Sequence, residues 1–385
     1  MPAVFSTSAQ RVLRVLFVLP SLDGGGAERV TVDLLRLLRR DRIRPALFLS
    51  QRRGPLLSEI APELLTATDP DHPDAGGSNA FLTLLPRLIA SARAVDVIVA
   101  CLQCSTTYLA WLAGAVARRP VIGWVQNAAV RGSPMYRLRH RTLMRLLQPR
   151  LAASVFPCER VYEALAKRIS FAHTRVAFIP NFISRERVRR LAAADTNSNL
   201  ERLNGETVLT AVGRLAPQKG FDILLHAVRE LHLRGYRCRL IMLGEGPERS
   251  RLTSLASGLS LRGFVEMPGF VANPYPIIGR SDVFVLASRF EGLPLALMEA
   301  HALGIPIVST DCIAGPREIL DGGRCGLLVP VNDHLAMADA IASLIGKPRR
   351  SSSALTGLPE EPVDGGEQAA VTAWEALLRD VAADA

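Results

Sequence analysis

Aromatic residues make up only 5% of this 385-residue chain and do not interleave with its basic ones, so the net charge of +10 carries no nucleic-acid recognition motif. Its six cysteines, at positions 101, 104, 158, 238, 312 and 325, fit no small disulfide framework. Cys101 and Cys104 form one C-x-x-C with no second pair and no histidine at zinc spacing, so a metal is not expected and reduced thiols in a cytoplasmic chain are. No apolar run reaches the roughly 18 residues that span a bilayer, and Met1 to Gln10 lacks the apolar core of a signal peptide, so any membrane contact is expected to be peripheral. Lysine is scarce, confined to Lys167, Lys219 and Lys347. Acid is missing altogether between Asp96 and Glu159.

What is present is a hydrophobic chain, 49% apolar, long enough for two domains. Apolar strands at Val12 to Leu19, Pro45 to Ser50, Val95 to Ala100, Pro120 to Val125, Ala153 to Phe156 and Arg175 to Ile179 alternate with helical segments. That alternation predicts an α/β domain with a parallel sheet covered on both faces, broken by a polar loop from Pro70 to Ser78. Beyond Pro180 the chain turns polar and charged up to Gly205, which places a domain boundary there. The division is N-terminal 1–180, C-terminal 181–368 and a last helical segment 369–385, with Lys347 to Gln368 as a Pro/Gly/Ser-rich linker. Charge divides the same way. Residues 1–180 hold 24 Lys/Arg against 12 Asp/Glu, and residues 181–385 hold 22 against 24. A helix from Ser133-Pro134 to about Gln148 would align Arg137, Arg141 and Arg145 in one stripe, which is either a solvated face or an anionic-surface contact.

Three stretches carry chemistry. After the first strand, Gly24-Gly25-Gly26 leads into a helix near Ala27, and glycines there let backbone N–H groups approach an anion; a plain tight turn reads the same way. No G-x-G-x-x-G follows, and the second strand ends in Gln51-Arg52-Arg53 instead of a ribose-binding acid, so a dinucleotide fold of the usual kind is excluded. After the strand Thr207 to Val212, Gly213-Arg214-Leu215 and Lys219-Gly220 put two cations, five positions apart, around a turn at a helix start. After the strand Asp282 to Ala287, Glu291 falls in a loop and Glu299, eight positions on, falls in a helix that begins near Pro294. Around Glu299 that helix is apolar or small, so its carboxylate needs donors near the core, and a polyol hydroxyl would serve. The two acids alone also fit a dipole-favoured helix start with one solvated acid.

Together these stretches resemble retaining glycosyltransferases of family 4: the E-x7-E of Glu291 and Glu299, the Gly213-Arg214-Leu215…Lys219-Gly220 element, the GGGAER loop, and the runs Gly304 to Val308, Gly315 to Ile319 and Gly326 to Pro330. The resemblance covers most of the C-terminal half and, in the N-terminal half, the first loop. It implies a GT-B fold of two facing Rossmann-like domains and transfer of a hexose from a nucleotide sugar, UDP-linked, with retention. The acceptor would be a saccharide or lipid-linked saccharide of cell-surface polysaccharide synthesis, reached from the cytoplasm with peripheral contact to an anionic membrane surface. By the same resemblance Arg214 and Lys219 neutralise the donor diphosphate without a metal or cofactor, Glu291 with the N–H groups of Gly292 and Leu293 orients the sugar, and Glu299 holds the ribose. Gly25 and Gly26 lie near the donor phosphate, Phe270 and Val271 lie by the base, and the last helical segment, 369–385, would cross back to the N-terminal domain. Many members carry a histidine after the fourth strand; here Gln126 and Asn127 are the nearest groups able to hold the sugar, and neither is a general base. A second enzymatic reading is a sugar-nucleotide epimerase or phosphorylase of the same fold; a phosphorylase needs a pyridoxal-binding lysine, and of the three lysines Lys219 is already assigned. The missing histidine leaves one alternative of another class, a catalytically silent binding subunit that recruits a partner enzyme.

Overall fold

The computed structural model describes residues 11–66, 80–102, 105–126, 142–194, 206–346 and 366–385. Two six-stranded sheets, parallel throughout, form two domains with helices on both faces of each. The first is built from β1 (Leu13–Leu19), α1 (Gly26–Leu37), β2 (Ile43–Leu49), α2 (Ala80–Arg93), β3 (Val97–Cys101), α3 (Ser105–Ala117), β4 (Val121–Trp124), α4 (142–147), β5 (Ala153–Phe156), α5 (Glu159–Ala166) and β6 (Arg175–Phe178), in sheet order β2-β1-β3-β4-β5-β6. Its central strands are apolar on both faces because helices cover both; every residue of β3, β4 and β5 is buried. The polar loop expected at Pro70 to Ser78 and most of the helix expected from Ser133 lie outside the described residues.

A connecting helix, α6 (Arg185–Ala193), leads to the second domain: β7 (Thr207–Val212), α7 (Phe221–Leu233), β8 (Cys238–Leu243), α8 (Arg249–Gly258), β9 (Val265–Gly269), α9 (Tyr275–Arg280), β10 (Val283–Leu286), α10 (Leu295–Ala302), β11 (Ile307–Thr310), α11 (Pro316–Ile319), β12 (Leu327–Val329) and α12 (His334–Leu344). The order β12-β11-β10-β7-β8-β9 is the doubly wound one, with its reversal between β7 and β10. The Arg214 and Glu291 loops begin at the carboxyl ends of those two strands, the place where open α/β sheets bind their ligands. β9 runs through Pro268 and Gly269, since a sheet's last strand has one free edge and tolerates proline. One boundary differs from the sequence reading. The expected linker ends early, because α13 (Gly366–Ala383) takes in Gly366 to Gln368.

Although α13 follows the second domain in the chain, it packs on the first. Trp374 is fully buried and meets Trp124 edge-on with ring centroids 4.6 Å apart. Val371, Leu378 and Val381 join the same core as Phe17, Leu34 and Val99. The domains also touch directly. Leu295 and Met298 of α10 belong to that first-domain core, and Asn181 donates through Nδ2 to the Leu293 carbonyl at 3.2 Å. No helix among the described residues is long and apolar enough to cross a membrane.

Candidate active site

At the switch point the β7 and β10 loops are tied into one unit. The Arg289 N–H donates to the Gln218 carbonyl at 2.7 Å, and Gln218 returns a bond from Nε2 to the Phe290 carbonyl at 2.8 Å. Arg289 grips Asp222 with both guanidinium nitrogens, at 3.0 and 2.8 Å, and reaches Pro217 O and Asn332 Oδ1. Burial pushes the Asp222 carboxyl up, but the paired Arg289 outweighs it and holds the group below the ordinary aspartate range. Gly220 takes φ +63° with its α-carbon pressed against the Ala287 carbonyl, an approach that no β-carbon permits.

Within this unit Glu291 is nearly buried, 6% exposed. Lys219 Nζ and Ser288 Oγ both donate to its Oε1 at 2.6 Å, which leaves Oε2 without a partner among the described residues. Ser288 is itself held, its carbonyl accepting from Thr310 Oγ1 at 2.6 Å. Neither the Gly292 nor the Leu293 N–H donates to a partner among the described residues. Arg214 is exposed and makes no side-chain bond among them. A fixed carboxylate, two N–H donors and an exposed guanidinium thus begin from adjoining strands. Beside them, burial pushes the Cys312 thiol up to about 12, with the Glu291 charge adding to it, so this cysteine stays an inert thiol.

Glu299 sits one turn into α10, 8% exposed, and its Oε1 accepts from the Tyr275 hydroxyl at 3.0 Å. Burial raises its carboxyl above the ordinary range, opposed by the Tyr275 bond and by the charges of Arg29 and Arg187. Those arginines belong to a cluster that joins the domains: Arg29 forks onto Glu59 at 2.8 and 2.7 Å, and Arg187 of α6 reaches Asp33 and Glu59, each at 3.1 Å.

Facing this, Gly25 caps α1 and Gly26 begins it, both exposed, and Gly24 lies so close to the Phe270 ring that a β-carbon would fall 2.6 Å from Cε2. Phe270, 41% exposed, therefore spans the cleft, while Val271 packs inward with Val208, Ile241 and Leu243. Gln126, at the end of β4, is 9% exposed and its buried Nε2 has no partner among the described residues. Asn127 lies outside the described residues. Sequence reading missed Ser288, Arg289, Asp222 and Tyr275. Ser288 had one usable signal, its place at a strand's carboxyl end three residues before Glu291; the Arg289–Asp222 and Tyr275–Glu299 pairs span 67 and 24 positions and leave no local pattern.

Two family models match the chain, "Glycosyltransferase Family 4" over residues 24–187 and "Glycosyl transferases group 1" over residues 206–347, and together they take in most of it. An exopolysaccharide phosphotransferase of Streptomyces coelicolor is 33% identical over 241 residues, 61% of this chain and 24% of that protein. The chain is 26% identical, over 84% of its length and 88% of the relative's, to the N-acetylgalactosamine-N,N'-diacetylbacillosaminyl-diphospho-undecaprenol 4-alpha-N-acetylgalactosaminyltransferase of Campylobacter jejuni. Several curated relatives are matched over only 24% to 35% of their own length. Among solved structures, Anabaena HepE in complex with UDP-glucose superposes with a TM-score of 0.73 at 18% identity, covering 97% of this chain and 98% of that one. With its two six-stranded parallel domains and both halves matched, the chain belongs to the GT-B group 1 glycosyltransferases.

Proposed function

We propose that this chain transfers a hexose from a nucleotide sugar, UDP-linked, to a saccharide or lipid-linked saccharide acceptor in polysaccharide synthesis, with retention at the anomeric carbon. The observation that carries the reading is Glu291, held by Lys219 and Ser288 through one oxygen, at the switch point beside the exposed Arg214. A carboxylate so fixed can accept from a sugar hydroxyl through its second oxygen while Gly292 and Leu293 supply N–H donors. Arg214 and Lys219 stabilise charge that develops on the departing diphosphate. The anomeric C–O bond to the diphosphate breaks, the acceptor oxygen bonds to the same face, and the leaving phosphate oxygen takes the acceptor proton. This route needs no general base, which suits Gln126, whose amide can orient a hydroxyl but cannot remove its proton. Glu299 accepts from the ribose.

The donor choice draws on HepE, whose structure is described with UDP-glucose, and the acceptor class on the diphospho-undecaprenol in the name of the Campylobacter relative. The excess of base in residues 1–180 supports docking of the first domain on an anionic membrane surface, on the cytoplasmic side. The test is a thermal-shift screen of nucleotide sugars followed by an assay of transfer and donor hydrolysis, the product anomer being read by proton NMR. A stabilising UDP-sugar with turnover and retained configuration supports the reading. Binding without turnover to any offered saccharide or water would favour a silent donor-binding subunit.

A further inference from the structure

We infer that Tyr275 is the positioning residue of the nucleotide site: it fixes Glu299 so that one carboxylate oxygen alone is presented to the ribose. The inference rests on the donor-site reading above, in which Glu299 accepts from the ribose, and adds a residue that touches no substrate. Tyr275 is 7% exposed, opens α9, and packs with Val188, Ile278 and Leu297. Its hydroxyl, 3.0 Å from Glu299 Oε1, is that carboxylate's sole donor among the described residues, and Oε2 takes no bond among them. A glutamate on a helix has three rotatable bonds, and each must be frozen for its carboxylate to meet a vicinal diol. Here packing freezes the ring and the ring freezes the carboxylate, before any ligand arrives. The bond occupies Oε1 and leaves Oε2 for a ligand. Its place in the chain fits this role. Tyr275 follows Phe270 by five residues, so one short segment sets both the aromatic ring across the cleft from Gly24 and the orientation of the acid on α10.

The experiment is calorimetry on the full chain with whichever of UDP, GDP and ADP binds most tightly and with its 2',3'-dideoxy analogue, for wild type, Tyr275→Phe, Glu299→Ala and the double variant. Wild type should prefer the ribose form. Tyr275→Phe should weaken the ribose form about tenfold, leave the dideoxy form unchanged and have no further effect in the Glu299→Ala background. In turnover the variant should raise donor KM and spare kcat, because ribose contacts are alike in ground and transition states. A wild-type preference that Tyr275→Phe fully retains overturns the positioning role and leaves the donor site standing. Absence of that preference in wild type, or no binding of any of the three nucleotides, overturns the ribose reading and this inference with it. Should Tyr275→Phe not fold, an undiminished ribose preference in Glu299→Ala overturns it as well.

Discussion

Lys219 and Arg214 are both cations on the β7 loop, but their surroundings separate what each does for folding from what each does for turnover. Lys219 is bonded to a nearly buried Glu291, whereas Arg214 stands in solvent. Each alanine variant should lower turnover about 10²-fold or more, since each removes a positioned cation from the leaving group. Only Lys219→Ala should also destabilise the fold, by about 3 kcal/mol, because it strands a buried carboxylate, and adding Glu291→Gln should recover part of that loss. Melting curves beside steady-state rates decide this; equal melting of the two single variants would contradict the paired geometry. Glu299 makes a different case, because burial already raises its carboxyl above the ordinary range, against the opposing charges of Arg29 and Arg187 and with Asp33 adding to the rise. A carboxyl raised on folding costs stability wherever it is ionised. The cost is absent below the unfolded value near 4.3, grows as pH rises toward the folded value and is constant above it. Glu299→Gln keeps an acceptor for Tyr275 and removes this cost. It should therefore melt higher than wild type at pH 8, lose that advantage as pH falls toward 4, and bind UDP more weakly, whereas Glu291→Gln should mainly lower turnover. A melting difference independent of pH, or equal UDP affinity, would refute the assignment.

At the scale of elements, the strands were legible because a parallel sheet covered on both faces demands continuous apolar runs, and β1, β3, β4 and β5 supply them. The loops after β7 and β10 were legible for a related reason: Gly220, Gly292 and Pro294 punctuate strand-to-helix turns. What joins them was not, since the Gln218 and Arg289 bonds link residues about 70 positions apart and depend on which strands become neighbours. Sheet order is a property of packing, and no local pattern states that β7 lies beside β10. For α13 the apolar stripe of Trp374, Leu377 and Leu378 was visible and the family resemblance implied a return to the first domain, but its partners there, Trp124 among them, are set by packing. Gly220 offers a test of the loop junction. A residue with a β-carbon there faces both a left-handed backbone and a β-carbon 2.0 Å from the Ala287 carbonyl oxygen. Gly235 has an equally positive φ, +85°, but open space around it. Gly235→Ala should cost about 1 kcal/mol, the left-handed penalty alone, and Gly220→Ala at least about 2 kcal/mol more, with loss of donor binding. Chemical denaturation compares them directly, and equal costs would mean the two loops are not in contact.

Over the whole molecule, charge is divided by domain, and the cluster of Arg29, Asp33, Glu59 and Arg187 holds the divided halves together. Arg36 joins them, so three cations share two acids and the cluster takes up none of the basic excess of the first domain. Part of that domain's basic surface is described. Arg118, Arg145 and Arg150 are exposed, and Val116 and Leu146 beside them in sequence are 50% and 54% exposed, in an interval with no acid from Val97 to Cys158. Apolar side chains bracketed by cations suit the headgroup layer, where the former shed water and the latter meet phosphate. Each cation near an anionic surface contributes about 1 kcal/mol, so three give reversible attachment, and that attachment should weaken as salt shortens the Debye length. The measurement is co-sedimentation with phosphatidylglycerol and with phosphatidylcholine vesicles, at about 50 mM and 500 mM salt, for wild type and the triple Arg118/Arg145/Arg150→Glu variant. Wild type should pellet with the anionic vesicles at low salt alone, and the variant with neither. The variant should keep its UDP affinity, because none of the three arginines belongs to the donor site. Pelleting that ignores salt or lipid charge, or that survives the triple substitution, would remove the membrane surface as a partner and return the basic face to plain solvation.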